Sequence, residues 1–377
     1  MRIAFVFIAE AYQAYHAAAV LFELAQRDDV AIDVFHIDDA VPGVLEKLAE
    51  AHDAPPIAST KLAAGVTGTM IQTIRIFGLA KPQVLSVNEE RLQAYDAIVS
   101  TEDGIARLFA GRDVEDRPLR ILITHGVGMR LVPSAKTRTA MDLIVAKGAG
   151  DVEQWLAQGY LREEQVVEGG YPKLASTRRV RSNERRLFDN ARPIVLFNAH
   201  KERKERSWDR FFPALLKGFR TNRTRNLIVA PHIKMFRRRS ERMRQKLRSL
   251  SDETILIDPG SSNLLDNTYT EAADIYVGDV SSQVVEFIAR PRPCVFLNAH
   301  NADWRGNPNY ALWELGEVVS DPADVMAAIA RAPGLHARYC EAQEIEARRR
   351  LGDTSDTSIT ASADIIHDFI ARNRRVS

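Results

Sequence analysis

Hydroxyl, carboxylate and histidine side chains stand at four places in this sequence where an apolar run ends. The richest of them is residues 274–298, in which the run IYV is followed by Asp279 and then by Ser281 and Ser282. A helix that opens directly after a strand offers its free N–H groups and the positive end of its dipole, and two hydroxyls add donors. The turn therefore suits an anion, most simply a phosphate. The alternative is that Ser281 only caps a core helix.

Glu286 lies four to five residues into the helix that we expect over residues 281–290. Side chains that are one turn apart share a helix face, so its carboxylate is expected on the same side as the two hydroxyls. A carboxylate in that position is free to accept hydrogen bonds from a ribose diol. The segment is thus a candidate site for a phosphate linked to a nucleotide.

His125 directly follows the apolar run ILIT, at a second strand end. Gly126 and Gly128 allow the backbone to approach a ligand closely, and Arg130 supplies positive charge. A neutral imidazole is well matched, near pH 7, to taking a proton from an attacking hydroxyl. The alternative is a histidine that caps the following helix or lines a loop.

Two further strand ends carry histidine in the second half of the chain. His200 and Lys201 begin a basic stretch after the run IVLFNA, which either contacts a diphosphate or forms a solvated loop. His232 follows the run LIVA in the segment VAPHIK. Ligands of an open parallel sheet bind at strand ends, so these three residues are candidate binding residues.

The elements that position these residues alternate between strand and helix, which predicts doubly wound parallel sheets and an α/β fold. The pattern lapses into polar, arginine-rich sequence near residues 174–192 and then starts again. We therefore expect two Rossmann-like domains, residues 1–185 and 186–345, and a helical segment, 346–377, that packs back on the first. The twelve expected strands are 2–8, 30–37, 96–101, 120–124, 142–147, 165–168, 193–199, 226–230, 254–257, 275–277, 294–297 and 317–320.

The pattern D-x-S-S, followed by an apolar helix with a carboxylate and by a proline-broken strand, resembles the C-terminal signature of the CDP-glycerol glycerophosphotransferases. These relatives of the teichoic-acid polymerases have the GT-B fold, so the resemblance implies that fold, with a C-terminal helix that crosses back to the first domain. His125-Gly126 matches the family's His-Gly motif, which implies that His125 is the general base. The segment around His232 is similar to the family's histidine segment, which implies that it holds the donor diphosphate with Asp279, Ser281 and Ser282.

The resemblance implies an enzyme that transfers glycerol phosphate, or a similar alditol phosphate, from a CDP-activated donor to an acceptor hydroxyl. The product would be an envelope polymer or glycolipid, with an acceptor that is lipid-linked or free. Glu286 would hold the ribose, and base and donor phosphate would come from different domains across one cleft. No metal or other cofactor is expected, because histidines, hydroxyls and a helix end would share the charge. Two alternatives stay open: a UDP-sugar-dependent GT-B glycosyltransferase or epimerase, and a non-catalytic nucleotide-binding partner in polysaccharide export.

The composition is typical of a globular protein and gives no indication of a polyanionic partner. The chain has 377 residues, 45% of them apolar, and its 51 Lys and Arg balance 50 Asp and Glu, so we expect no nucleic-acid binding. Three basic stretches, 178–186, 237–248 and 372–375, are either solvated faces or contacts to an anionic membrane. Since no signal peptide or membrane span is evident, we expect a cytoplasmic protein, with peripheral binding at the inner membrane face left open. A dinucleotide-binding G-x-G-x-x-G, a Gly-Lys-Ser/Thr loop and zinc-ligand spacing are all missing.

Overall fold

The computed structural model describes residues 1–65, 80–126, 135–182, 186–237 and 239–374. These residues form two compact units. Within them, unit 1 is drawn from residues 1–126, 135–182 and 349–374, and unit 2 from residues 186–348.

Unit 1 has a seven-stranded parallel sheet among its described residues, in the order β3-β2-β1-β4-β5-β6-β7. Its strands are β1 (Arg2–Phe7), β2 (Ala31–His36), β3 (Ser59–Lys61), β4 (Ala97–Ser100), β5 (Leu119–Ile123), β6 (Leu143–Ala146) and β7 (Val166–Glu168). Its α-helices are Ala18–Ala25, Val41–Ala51, Ala80–Val87, Glu89–Leu92, Ala135–Arg138, Ala149–Ala157, Pro172–Ser182 and Thr357–Asn373. Its 3₁₀ turns are Ala11–His16, Asp103–Arg107, Val114–Asp116 and Glu163–Gln165.

Both faces of this sheet are covered, as the continuous apolar runs of its strands require. Phe5 packs on one face with Ile366 and Ile370 of the helix Thr357–Asn373, whereas Val6 packs on the other face. All four side chains are fully buried. The last helix of the chain is therefore part of the core of unit 1.

The segment before that last helix lies against the carboxyl ends of β6 and β7. The Tyr171 N–H donates to the Asp353 carbonyl oxygen at 2.6 Å, and the Ser362 hydroxyl donates to the Gly169 carbonyl at 2.8 Å. Gly170 has a φ of +78°, and a Cβ there would lie 2.6 Å from the Asp353 oxygen. Only glycine fits this close approach without strain.

Unit 2 has a six-stranded parallel sheet among its described residues, in the order β10-β9-β8-β11-β12-β13. Its strands are β8 (Ile194–Asn198), β9 (Asn226–Val229), β10 (Ile255–Ile257), β11 (Ile275–Gly278), β12 (Cys294–Leu297) and β13 (Glu317–Val319). Its α-helices are Trp208–Thr221, Glu241–Arg248, Thr268–Ala272, Gln283–Phe287 and Val325–Leu335, followed by Cys340–Leu351, which runs on into unit 1. Its 3₁₀ turns are Ser262–Leu264, Pro308–Leu315, Pro322–Asp324 and His336–Arg338. None of the helices in the described parts of either unit combines the length and apolar character needed to cross a membrane.

All twelve expected strands are present, and β3 (Ser59–Lys61) is an additional one. This strand pairs with β2 at the edge of the sheet, and its side chains are half-buried or exposed. It therefore has no apolar run by which sequence could identify it.

Each sheet has one place where the strand order reverses, which we call its switch point. In unit 1 it lies between β1 and β4, and in unit 2 between β8 and β11. In open parallel sheets, loops leave the sheet in opposite directions at such a point, and ligands typically bind in the crevice that opens at the carboxyl ends of the strands.

Candidate functional site

The switch point of unit 1 gathers side chains from the segments that follow β1, β4 and β5. Gln13 lies on the 3₁₀ turn Ala11–His16 after β1, Thr101 and Glu102 follow β4, and His125 lies just after β5. Hydrogen bonds join all four residues. Only His125 among them is expected from the sequence.

His125 is held in one tautomer. Its Nδ1 is hydrogen-bonded to the carbonyl oxygen of Thr101, and because a carbonyl only accepts, Nδ1 must carry the proton. Nε2 therefore keeps its lone pair, 3.2 Å from Nε2 of Gln13 and 3.9 Å from Oε1 of Glu102. A ring nitrogen with a lone pair is the group that a general base requires.

The Gln13 amide has its orientation set by its neighbours. The Thr101 hydroxyl donates to Gln13 Oε1 at 3.1 Å, and Gln13 Nε2 donates to Glu102 Oε1 at 2.5 Å. The second hydrogen on that nitrogen faces His125 Nε2. Lys81 holds the other oxygen of Glu102 at 3.1 Å. Gln13 thus connects the histidine to a carboxylate through one rigid amide.

Burial lowers the pKa of His125 below its usual value, although Glu102 and the Thr101 carbonyl act in the opposite direction. The neutral ring therefore predominates at neutral pH. His16 lies beside it, with ring centroids 6.1 Å apart, and its Nδ1 has no hydrogen-bond partner among the described residues. Burial, with Lys173 and His125 nearby, holds the pKa of His16 well below its usual value. The pair resists double protonation.

Gln13 and Glu102 are not among the residues predicted from the sequence, for different reasons. Glu102 follows the apolar run AIVS of β4, so the rule that singled out His125 applied to it as well. Gln13 lies six residues beyond the end of β1, and only the folded turn Ala11–His16 carries it to His125.

The switch point of unit 2 is organised by the carboxylate of Asp279, which directly follows β11 and is 1% exposed. Its Oδ1 accepts from the His200 N–H at 2.8 Å. Its Oδ2 accepts from the Ser207 N–H at 2.6 Å and from the Ser207 hydroxyl at 2.7 Å. We call residues 199–207, which join β8 to the helix Trp208–Thr221, the basic loop. Asp279 therefore bonds to both ends of that loop.

His232 lies next to His200, with the two rings edge to face and their centroids 5.9 Å apart. His232 Nδ1 accepts from the Lys234 N–H at 3.1 Å, so its Nε2 carries the hydrogen. Burial, together with the nearby charges of His200 and Lys201, lowers the pKa of His232 to about 4. His232 is therefore a neutral hydrogen-bond donor at pH 7. Lys201 lies on the basic loop and is exposed, with its Nζ 3.4 Å from Oε1 of Glu202.

The two serines after β11 differ in exposure. Ser281 is buried, and its hydroxyl accepts from the Gln283 N–H at 3.3 Å, whereas Ser282 is exposed and makes no side-chain cap. The helix that follows is Gln283–Phe287, a single turn, so the expectation of a helix over residues 281–290 is wrong. So short a helix has few aligned peptide dipoles, so its dipole would attract an anion only weakly.

Glu286 is buried, and its Oε2 accepts from Asn267 Nδ2 at 2.8 Å. Asn267 has a left-handed backbone with a φ of 64°, in the loop that follows β10. The carboxylate expected to be free for a ribose is thus already bonded to Asn267. The sequence could not show this, because Asn267 is 19 residues away along the chain.

The remaining expected residues lie beyond β5. Gly126 is exposed, with a φ of +64° that favours glycine. Arg130 lies outside the residues that the structure describes.

Comparison with known proteins identifies the fold. No family model matches the chain, and no curated protein matches it. Solved structures do. The UDP-GlcNAc 2-epimerase from Neisseria meningitidis bound to UDP-GlcNAc aligns with a TM-score of 0.64 and 13% identity, over 99% of this chain and 100% of that chain.

The second comparison is the wall teichoic acid polymerase TagF, with a TM-score of 0.65 and 12% identity over 98% of this chain and 89% of that one. A further TagF structure, soaked with CDPG, aligns equally well. The S. aureus MnaA–UDP structure has a TM-score of 0.63 and 14% identity over 100% and 99% of the two chains. The chain therefore has the GT-B fold, with two Rossmann-like parallel-sheet domains, which confirms the expected fold class.

Proposed function

We propose that the protein transfers glycerol phosphate, or a similar alditol phosphate, from a CDP-activated donor to an acceptor hydroxyl. The observation that carries this proposal is the tautomer of His125, whose Nε2 keeps a lone pair, directed at the Gln13 N–H, at neutral pH. The transfer needs a base for the hydroxyl proton and donors for the diphosphate charge. TagF, which shares this fold, is a wall teichoic acid polymerase whose structure has been solved with CDPG.

In this reaction the acceptor oxygen attacks the phosphorus that carries the alditol. The new bond joins that oxygen to phosphorus, the bond from phosphorus to the CMP oxygen breaks, and CMP leaves. The hydroxyl proton passes to His125 Nε2. For this the acceptor hydroxyl must replace the Gln13 N–H, which now bonds to that nitrogen. The Thr101 carbonyl stabilises the resulting imidazolium through Nδ1, and the Glu102 carboxylate does so through its charge.

The donor diphosphate is assigned to unit 2. His232 Nε2–H, the exposed hydroxyl of Ser282 and the ammonium of Lys201 are donors on segments that follow β9, β11 and β8. Preorganised donors of this kind usually supply the largest share of transition-state stabilisation in group transfer. Glu286 is assigned to the ribose through its carboxylate, which requires the loop bearing Asn267 to admit the sugar.

A second candidate is a UDP-sugar-dependent glycosyltransferase or epimerase. Glu102 favours it, because a carboxylate 3.9 Å from His125 Nε2 makes two acid–base groups available, as proton transfer at carbon requires. The Neisseria epimerase has the same fold and was solved with UDP-GlcNAc.

Incubation with CDP-glycerol and, separately, with UDP-GlcNAc tests both candidates. Release of CMP that depends on an added acceptor supports the phosphotransferase. Release of UDP, or conversion of UDP-GlcNAc to an isomer, supports the second candidate and contradicts the first. Tight nucleotide binding without turnover of either donor would instead indicate a non-catalytic partner in polysaccharide export.

A further inference from the structure

The basic loop of unit 2 has an unusual attachment. Between its ends stand four cationic side chains and two acidic ones, Lys201, Glu202, Arg203, Lys204, Glu205 and Arg206. Inside the loop, the N–H groups of Glu205 and Arg206 both donate to the Glu202 carbonyl at 3.0 Å. The loop is therefore a compact turn, and the direction in which its cations point depends on how its ends are held.

One carboxylate holds both ends. Asp279 accepts from His200 N–H on one oxygen, and from the N–H and hydroxyl of Ser207 on the other. The Trp313 indole N–H donates to the backbone carbonyl of Asp279 at 3.3 Å, which fixes the residue from the far side. With 1% of its surface exposed and three donors on its carboxylate, Asp279 cannot itself receive a phosphate.

Strands β11 and β8 also approach each other closely just before Asp279. A Cβ on Gly278 would lie 2.7 Å from the Asn198 carbonyl oxygen, so glycine is required directly before Asp279. This contact brings the Asp279 carboxylate level with the start of the loop that follows β8.

We propose that Asp279 is a positioning residue, which holds the basic loop and His200 in place for the donor diphosphate without touching the donor. This inference rests on the proposed function and changes the role expected for Asp279 from a phosphate ligand to an anchor. The bound anion would be a diphosphate, alone or within a nucleotide. His200 then supports the edge-to-face contact with His232, which keeps the His232 Nε2–H directed at the ligand.

Asp279→Asn is the decisive variant because it keeps the shape and removes one acceptor. The N–H groups of His200 and Ser207 are fixed donors on opposite oxygens, so the new NH₂ must face one of them. One end of the loop is then released. Ser207→Ala is the graded control, since it removes the hydroxyl bond and leaves both N–H bonds in place.

The experiment measures CDP and inorganic pyrophosphate affinity by calorimetry, and amide hydrogen exchange of residues 199–207. We expect Asp279→Asn to expose the loop amides to exchange and to weaken CDP and pyrophosphate binding about tenfold. With the donor saturating, kcat should change little. Ser207→Ala should show a smaller loss of exchange protection in the loop and a smaller loss of affinity.

Three results would overturn the inference. One is unchanged affinity in Asp279→Asn despite rapid exchange of the loop. Another is tighter anion binding in that variant, which would mean that the carboxylate faces the ligand and repels it. The third applies if Asp279→Asn loses exchange protection across unit 2 and so fails to fold. It is then a Ser207→Ala variant whose basic loop exchanges faster but whose affinity for CDP and pyrophosphate is unchanged. If the wild-type protein binds pyrophosphate but no nucleotide, the proposed function fails, and the pyrophosphate comparison still decides the role of Asp279.

Discussion

The two switch points occupy the same place in two sheets of the same kind, but the carboxylates found there bond to different kinds of partner. Glu102 of unit 1 is partly exposed and bonded to side chains, those of Gln13 and Lys81. Asp279 of unit 2 is buried and bonded to the backbone at two points. A carboxylate that meets side chains can take part in proton transfer, whereas one that meets N–H groups fixes a loop. Position in the fold therefore identifies a site, and the partners of each side chain define its role.

The histidines of the two switch points differ in the same way. His125 keeps a lone pair on the nitrogen that is not bonded to the backbone, while His232 keeps a hydrogen there. Burial lowers the pKa of both, so both are neutral at pH 7. One neutral histidine is thus prepared to accept a proton and the other to donate a hydrogen bond to an anion.

Replacement of His125 by alanine should have the largest effect on turnover, and it tests whether the two histidines have different roles. Loss of a general base is expected to lower kcat by about 10²–10⁴-fold and to leave donor affinity nearly intact. His232→Ala is the matched variant and should weaken donor binding instead. Turnover and nucleotide binding are measured separately for both. Near-normal turnover of His125→Ala with the correct donor would show that His125 is structural.

The serine pair tests the donor side. Changing both Ser281 and Ser282 to alanine should weaken donor binding by about 10²-fold or more, since a hydrogen bond to a charged group contributes roughly 1.5–3 kcal/mol. Most of the loss should come from Ser282, because the Ser281 hydroxyl is buried against the Gln283 N–H. Calorimetry with the two single variants separates the contributions. Unchanged affinity in a folded double variant would contradict the assignment.

Gln13→Met sharpens the comparison within unit 1. The Gln13 N–H bonds to the neutral form of His125, so its removal should raise the pKa of His125. We expect kcat to fall about tenfold, and the acid limb of kcat/KM, which follows the pKa of His125, to move to higher pH. Nitrogen-15 shifts of the ring report the same titration without turnover, and Gln26→Met, an exposed position, is the control. An acid limb that stays in place would exclude this role.

Asp279 should also appear in the pH dependence of stability. Burial raises its pKa to about 7, from 3.8 in the unfolded chain, although the donors at His200 and Ser207 oppose the rise. A raised folded-state pKa contributes stability that is full below pH 3.8 and lost as pH rises through about 7. The charge of Glu205 also raises the pKa of Asp279, and Tyr276 of β11 is a further titratable group beside this carboxyl. Urea unfolding at pH 5.5 and 8 should show a smaller difference for Asp279→Asn than for wild type, and equal differences would refute the shift.

The smallest expected effect concerns the basic helix Glu241–Arg248. Arg244 and Arg248 both pair with Glu241, at 2.5 and 2.6 Å, and such exposed pairs contribute little and leave the surface basic. If this helix contacts a membrane, vesicles with anionic lipid should co-sediment the protein at low salt and release it at high salt. Arg242→Glu with Lys246→Glu should reduce binding. Equal binding to neutral vesicles would show that the helix is only a solvated face.

The sequence by itself determined the two parallel sheets and most of the strand ends at which the candidate residues lie. Continuous apolar runs such as AIVS and LIVA are typical of strands that are covered on both faces, and this is a local property of the chain. It also placed His125, His232 and Asp279 just after such runs.

Tertiary structure alone decided what these residues contact. The lone pair of His125 depends on the Thr101 carbonyl, and the bond that occupies Glu286 comes from Asn267, each from another loop. The anchoring role of Asp279 depends on two N–H groups more than seventy residues away in sequence. Hydrogen-bond partners of this kind are set by strand order and loop path, which bring distant segments together and leave no periodic pattern in the residues themselves.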